Sequence, residues 1–433
     1  MHSLLSPLYS AVAATAAGLA HLPLGADGKA WRAVRARAGG LERFERWGRE
    51  RRDPARPLLW VHAPSVGEGL QARPVIALLR ERRPTLQIVY TYFSPSAEQF
   101  AQSIGADFAD YLPFDTARAA RRLCDALRPT ALVFAKLDLW PRLAETAHLL
   151  QIPLGMISAT LRPGSRRGGP LGRALLADAY AVLDRVGAID ADDAARLIVL
   201  GVRPDQVRVT GDTRYDQVAA RADGSDRTGA LLAPLVSRRP TLLAGSTWPA
   251  DEARLLPAWL ALRETVPTAR LIVAPHEPTE AHLAPIERWA RGARLSCARL
   301  AEATAAHDVV LVDRVGVLGD LYALSDAAYV GGGFHAAGLH SVLEPAAFGV
   351  PVLFGPQHTN SRDAGLLIGA RAGESVPDDR ALARALRIVL TEPDTRARAG
   401  AAARRLVDQG LGAAERSTRL VEELMALATG DGR

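Results

Sequence analysis

The chain has 433 residues, 48% hydrophobic and 23% charged, which excludes a disordered chain and gives each of two domains enough apolar material for a core. Two cysteines, Cys124 and Cys297, are too few and too isolated for a disulfide framework or a zinc site, and fit a reducing compartment. The net charge of +6 is local, because residues 29–56 hold ten Lys and Arg against four acids, the whole excess.

Residues 4–24 are rich in Ala and Leu and carry no charge, but Pro7, Gly18, His21 and Pro23 interrupt them. They are only moderately hydrophobic for a spanning helix, and no convincing small-residue cleavage site follows. Residues 1–28 therefore read as a membrane anchor that lies on the surface or inserts shallowly. The basic run behind it would meet anionic headgroups at the cytoplasmic face of the inner membrane. The competing reading is an amphipathic helix packed on the first domain.

Residues 29–220 form the first domain. Short apolar runs bounded by Pro or Gly predict buried parallel strands at 58–62, 87–92, 131–134, 154–157, 185–190 and 208–211, with helices at 69–82, 96–104 and between 134 and 154. Residues 221–240, with Gly-Ser-Asp and a Ser-Arg-Arg-Pro ending, read as a linker. Residues 241–433 form the second domain, with strands at 241–244, 270–274, 309–312, 327–330 and 350–354 and helices at 251–265 and near 280–291. An Ala- and Arg-rich helical stretch, 380–427, ends the chain and can cross back over the first domain. The fold class is α/β: two doubly wound, Rossmann-like domains facing a central cleft, with ligands at the carboxyl ends of the strands.

Residues 330–356 carry the most information, reading as strand, glycine turn, helix, strand. Gly332 and Gly333 would let the backbone approach a phosphate, the following helix would offer free N–H groups, and Glu344 about one turn into it could accept hydrogen bonds from a ribose. An ordinary βαβ crossover is the plain alternative. Glu68, in a glycine-flanked turn after the first strand, is placed to act as a general base; a helix N-terminal charge is the alternative. Lys136 and Asp138 leave another strand end, where they could hold a phosphate or a hydroxyl or simply pair locally. Ser246 or Thr247 is a candidate N-cap beside the second-domain site. His276 follows Pro275 at a strand end and could touch a phosphate or a base, and His335 and His340 lie in the glycine motif itself. Three histidines so scattered lack metal-ligand spacing, so no metal is expected.

Ser65-Val-Gly-Glu68, Leu139-Trp-Pro141, the Val-Thr-Gly-Asp-Thr-Arg-Tyr-Asp run at 209–216, Gly245-Ser-Thr247 and Leu343-Glu-Pro-Ala-Ala347 occur in the order seen in Kdo transferases. Together they resemble that family, the 3-deoxy-D-manno-octulosonic acid transferases of lipopolysaccharide assembly (glycosyltransferase family 30), over nearly the whole chain. The resemblance implies a GT-B fold and an inverting transfer of Kdo from CMP-Kdo to a lipid A precursor, lipid IVA, at the inner membrane, with no cofactor beyond the donor and no metal. It implies Glu68 as the base, Pro275 and His276 in one CMP-contacting loop, Gly316, Val317 and Leu318 in a second, and Ser341, Val342, Leu343 and Glu344 in the ribose turn. The chain departs from the family pattern at three places. Lys136-Leu-Asp138 stands for Glu-Thr-Glu, Pro275-His-Glu-Pro278 for Pro-Arg-His-Pro, and Ser341 for Asn, which marks a divergent branch in which Lys136 could replace a lost positive charge.

Two other readings fit the residues: a GT-B transferase or epimerase using a UDP-sugar, and a non-catalytic scaffold binding nucleotide or lipid A. Nucleic-acid binding fits poorly, because the basic run lacks aromatic interleaving.

Overall fold

The structure is a computed structural model that describes residues 5–19 and 29–429. Residues 1–4 and 20–28 of the expected anchor lie outside the described residues. The chain divides into two compact units, Met1–Gln217 with Leu411–Arg433, and Val218–Gly410.

The first unit is built on seven parallel strands, β1 (Leu58–His62), β2 (Gln87–Tyr92), β3 (Phe108–Tyr111), β4 (Ala131–Ala135), β5 (Leu154–Ala159), β6 (Arg185–Ala188) and β7 (Val207–Val209), in the order β3-β2-β1-β4-β5-β6-β7. Every residue of β1, β2, β4 and β5 is buried, as expected of strands covered by helices on both faces. Trp60 sits in register with Val89 on one side and Leu132 on the other. The direction of winding reverses between β1 and β4, and such a reversal leaves a crevice at the carboxyl ends of the two strands.

The second unit repeats the plan with β8 (Thr241–Thr247), β9 (Arg270–Pro275), β10 (Cys297–Arg299), β11 (Val309–Leu311), β12 (Ala327–Val330), β13 (Val352–Phe354) and β14 (Gly373–Ser375), in the order β10-β11-β9-β8-β12-β13-β14, all parallel. Its reversal falls between β8 and β12. The expected fold class, two doubly wound α/β domains, is what the chain adopts.

The domain boundaries differ from those read in the sequence. Residues 221–240 are no free linker: a helix, Arg214–Asp223, runs into them, and Leu232 and Leu235 are buried with Leu243, Ile272 and Val310 in the second unit's core. The last helix, Ala413–Thr429, belongs to the first unit rather than the second. Its Leu420, Val421, Leu424 and Met425 are buried against Val133, Ala135 and Ile157, and burial of that kind contributes about 1.5–3 kcal/mol per side chain. The 209–216 motif fastens this helix. Asp216 accepts the N–H groups of Gly412 (2.7 Å) and Ala414 (2.9 Å) at its start, and Arg416 donates to the Thr210 carbonyl at 2.9 Å.

Near the N-terminus the helix Leu5–Leu19 turns one side to the first unit, where Tyr9 donates to Asp115 (2.6 Å) and Arg142 donates to Ser10 (2.7 Å). Leu8 and Val12 point away, 63% and 62% exposed. Among the described residues no helix is long and apolar enough to cross a membrane. The basic run splits by role. The helices Lys29–Ala36 and Gly40–Glu50 bury Ala33, Phe44 and Trp47, and Arg37 is buried with its guanidinium on the carbonyls of Leu112 (2.7 Å) and Pro113 (2.8 Å). Arg32, Arg35, Arg46, Arg49 and Arg51 are exposed.

Candidate functional site

In the first unit the site forms at the β1/β4 reversal. The helix after β1 begins at Val66, three residues earlier than its glycines suggested, with Ser65 as N-cap, so Glu68 sits in its first turn. The Ser-x-x-Glu spacing is that of a capping box, but here the hydroxyl of Ser65 donates directly to Glu68 Oε2. The other oxygen, Oε1, lies 2.9 Å from Lys136 Nζ. Lys136 is the first residue past β4, held at a left-handed φ of 65° while its N–H bonds the Ile157 carbonyl at 2.9 Å. Burial pushes the Glu68 carboxyl up, but the Lys136 ammonium and the bonds from Ser65 and Lys136 outweigh it and leave it below the ordinary glutamate value.

Beside this pair lies a buried polar chain. Trp60 Nε1 donates to Thr91 Oγ1 (3.0 Å), which is 2.9 Å from His62 Nδ1, and His62 Nε2 is 3.1 Å from Asp138 Oδ2. Trp140 Nε1 also donates to Asp138, at 3.0 Å, and Arg167 lies 3.6 Å from its other oxygen. Burial raises the Asp138 carboxyl, yet its hydrogen bond and charge interaction with His62, then Arg167 and Trp140, hold it below the usual aspartate range. Glu68, Lys136 and Asp138 thus share the carboxyl ends of two neighbouring strands, as the sequence indicated. The contacts divide them, with Lys136 serving Glu68 and His62 serving Asp138. His62, Ser65 and Arg167 were missed. Only Ser65 carried a signal, the capping-box spacing.

In the second unit the site forms at the β8/β12 reversal. The glycine turn after β12 is there, but the carboxylate it holds belongs to the chain. Asp251, fully buried, accepts N–H groups from Gly332 (2.7 Å), Phe334 (3.2 Å) and Trp248 (3.0 Å) and the hydroxyl of Tyr329 (2.9 Å). The glycines serve backbone packing: a Cβ on Gly331 would lie 2.2 Å from the Ser246 carbonyl oxygen, and Gly332, at φ 93°, would meet the Gly338 oxygen at 2.2 Å. The expected phosphate cradle of Gly332 and Gly333 is therefore corrected at Gly332, whose amide is already bonded to a carboxylate. The helix that follows is a single turn, Leu343–Ala347, with Glu344 at its second position rather than a turn inside. Val342 and Leu343 turn their side chains into the protein, so neither side chain lines a site, while Ser341 is exposed.

Neither Ser246 nor Thr247 caps the next helix. The N-cap of Pro249–Thr265 is Trp248, and Thr247 is buried at the strand end, donating to Glu252 at 2.7 Å. Ser246 takes a left-handed φ of 53°. Trp248 is the centre of an aromatic stack, with ring centroids 4.1 Å from His335, 4.7 Å from His276 and 6.4 Å from His340. His340 Nε2 accepts the Trp248 indole N–H at 3.0 Å and His335 Nδ1 accepts the Ala337 N–H at 3.1 Å, which sets the tautomer of each ring when neutral. Burial, with His276 and His335 nearby, pushes His340 down to about 4. Among the described residues no cluster of three His, Cys, Asp or Glu is placed to hold a metal.

Glu344 accepts no hydrogen bond among the described residues. Burial raises its carboxyl above the ordinary value, Arg221 offsetting part of this and Asp320 adding to it. Arg221 is itself clamped, donating to Asp320 at 2.8 Å and to the Gly316 carbonyl at 3.0 Å. Gly316, Val317 and Leu318 are thereby brought to the same corner as Glu344, and the Leu318 side chain lies against Gly245 at the end of β8. Pro275 ends β9, and the N–H of the exposed His276 bonds the Thr247 carbonyl at 2.9 Å. Two polar corners result, one of imidazole and indole, one of a half-buried carboxylate without a hydrogen-bond partner among the described residues.

Comparison with known proteins bears on both units. A family model described as 3-Deoxy-D-manno-octulosonic-acid transferase (kdotransferase) matches residues 41–217. The 3-deoxy-D-manno-octulosonic acid transferase of Bordetella pertussis is 32% identical over 413 residues, 91% of this chain and 94% of that protein. The enzyme of the same name from Haemophilus influenzae is 28% identical over 84% of this chain and 86% of that one. Among solved structures, the UDP-GlcNAc 2-epimerase of Neisseria meningitidis bound to UDP-GlcNAc aligns with a TM-score of 0.63 over 86% of this chain and 99% of that chain; at 16% identity this likeness shows the fold. The match to the Bordetella enzyme over nine-tenths of both chains assigns the sequence: the chain belongs to the 3-deoxy-D-manno-octulosonic acid transferase family.

Proposed function

We propose that this chain, as a Kdo-transferring enzyme, moves Kdo from CMP-Kdo to a hydroxyl of a lipid A precursor such as lipid IVA with inversion at the anomeric carbon, Glu68 acting as general base. The observation that carries the reading is the Glu68 carboxylate, ionised, partly buried and fixed by Ser65 and Lys136 at a strand-reversal crevice. In the transfer the acceptor hydroxyl gives its proton to Glu68, its oxygen bonds to the anomeric carbon, and the bond from that carbon to the phosphate oxygen breaks, releasing CMP. The His62–Asp138 pair beside it would orient the acceptor through Asp138 and Arg167. In the second unit Glu344 would take the ribose hydroxyls, and the His276, His335 and His340 rings about Trp248 would face the cytosine and its phosphate. No cofactor or metal enters this reading.

The exposed Leu8 and Val12, with the exposed arginines of residues 29–56, support attachment to the cytoplasmic face of the inner membrane. The test is incubation of the purified chain with CMP-Kdo and a tetraacylated lipid A precursor, followed by mass spectrometry. Gain of one or more Kdo masses, reduced by about 10²–10⁴-fold in Glu68→Gln, is the expected result. No mass gain by the wild type, or full activity of Glu68→Gln, rejects it.

A further inference from the structure

Of the 53 Lys and Arg residues in the chain only two, Lys29 and Lys136, are lysines. In a protein that uses arginine almost everywhere else, one of these two ammonium groups stands against the candidate base, on a residue held in the left-handed region, where a non-glycine residue is strained. Arginine answers the other structural needs here, as in Arg43–Asp110, Arg122–Glu45 and Arg404–Asp223, where its planar fork locks a carboxylate. A compact ammonium on a flexible stem differs in one respect that matters beside a base, because it can swing off a carboxylate onto another anion. The Lys136 side chain is 39% exposed while its partner Glu68 is 16% exposed, so the cation reaches solvent and the carboxylate largely does not.

We infer that Lys136 is an exchangeable counter-ion: in the free enzyme it neutralises Glu68, and a substrate oxyanion, a sugar carboxylate or a phosphate, draws it away and leaves Glu68 a stronger base. This rests on Glu68 as the base of the proposed function. With the ammonium gone, burial of Glu68 is opposed only by Ser65 and the backbone, so its proton affinity rises when an acceptor hydroxyl is present to use it. Among the described residues Tyr90 of β2 is a further ionisable neighbour, a phenol pushed up by its own burial and by Glu68 and drawn down in part by Arg73 on the Glu68 helix; it stays neutral and does not compete. Lys136 is thus a positioning residue that couples substrate binding to basicity.

The scarcity of lysine makes the test direct, since ¹⁵N-lysine labelling of the full chain gives side-chain signals from Lys29 and Lys136 only. In free protein Glu68→Gln should displace the Lys136 signal. With saturating free Kdo, which carries a carboxylate and no phosphate, or with a phosphorylated glucosamine disaccharide, the wild-type and Glu68→Gln signals should converge; the arm that produces convergence names the source of the anion. Lys136→Arg should keep the fold and the acid limb of kcat/KM but lower kcat about tenfold, and Lys136→Met should move that limb to higher pH and raise KM about tenfold. Signals that stay equally far apart with and without both ligands, or a Lys136→Arg enzyme of unchanged kcat, would overturn the inference. Failure of the wild type to transfer Kdo would reject the proposed function alone, because the two-signal titration does not depend on turnover.

Discussion

Asp251 Oδ2 accepts the backbone N–H of Gly332 at 2.7 Å, so the anion nest of the glycine turn is filled by the chain's own carboxylate. A nest closed in this way fixes the shape of the turn before any ligand arrives, and leaves the Gly332 amide no part in holding an outside anion.

Asp251→Asn should therefore damage the fold of the second unit rather than its charge alone. The amide would turn donors toward N–H groups that now find an acceptor. A loss of about 2–4 kcal/mol in urea unfolding is expected, with altered Trp248 fluorescence. An unchanged midpoint would contradict the role given to this carboxylate.

His340 should make the second unit sensitive to acid. Its imidazole is pushed down to about 4 from an ordinary 6.5, so the stability linked to its neutral form is present above pH 6.5 and lost as pH falls toward 4, by at most roughly 3 kcal/mol. His340→Gln removes the titrating group while keeping an acceptor for the Trp248 indole. Urea midpoints between pH 7 and pH 4 should fall less steeply in this variant.

Glu344 has the opposite sign. Its carboxyl is raised by burial, so the folded state is favoured at low pH, and that stability is lost as pH rises through the carboxyl's folded value. Glu344→Gln should raise the urea midpoint at pH 8 and leave it unchanged at pH 3.5. If the ribose role proposed above is right, the same change should also weaken CMP binding roughly tenfold by calorimetry. A variant that lost stability at pH 8 would argue for a structural acid.

Asp138→Asn should destabilise at neutral pH by about 1–2 kcal/mol, since His62, Trp140 and Arg167 all favour the ionised form. Because the folded carboxyl lies below the ordinary value, the difference from wild type should close as pH falls below about 4. Guanidinium melts at pH 7 and pH 3 measure both ends.

Leu8→Glu with Val12→Glu should leave catalysis on a soluble acceptor unchanged and reduce co-sedimentation with anionic vesicles at least about tenfold, because these two large apolar side chains project outward from a helix whose other side meets the first unit through Tyr9 and Ser10. Retained binding would assign membrane attachment to the arginines.

The sheets were legible because β1, β2, β4, β8 and β9 each hold a short run of consecutive apolar residues, such as Leu132-Val-Phe134 in β4 and Leu271-Ile-Val-Ala274 in β9, with Pro or Gly close by. Phe108–Tyr111, Cys297–Arg299 and Gly373–Ser375 escaped notice: they are short, partly exposed and carry polar residues, as edge strands do. Glu68 and Lys136 were each readable as strand-end residues, but their pairing depends on β1 and β4 lying side by side. Asp251 was unreadable as the partner of a turn 81 residues away. The glycines suggested a close approach and were right about that; what approaches is the chain itself.

The capping of the last helix by Asp216 has a practical corollary for anyone cutting this protein apart. The second unit is one uninterrupted piece, Val218–Gly410, whereas the first is spliced from two, with its final helix arriving only after the second has been synthesised. In the order of the chain the second unit is set inside the first, so a nascent chain on the ribosome holds a half-finished first unit whose last helix is translated only after the second unit.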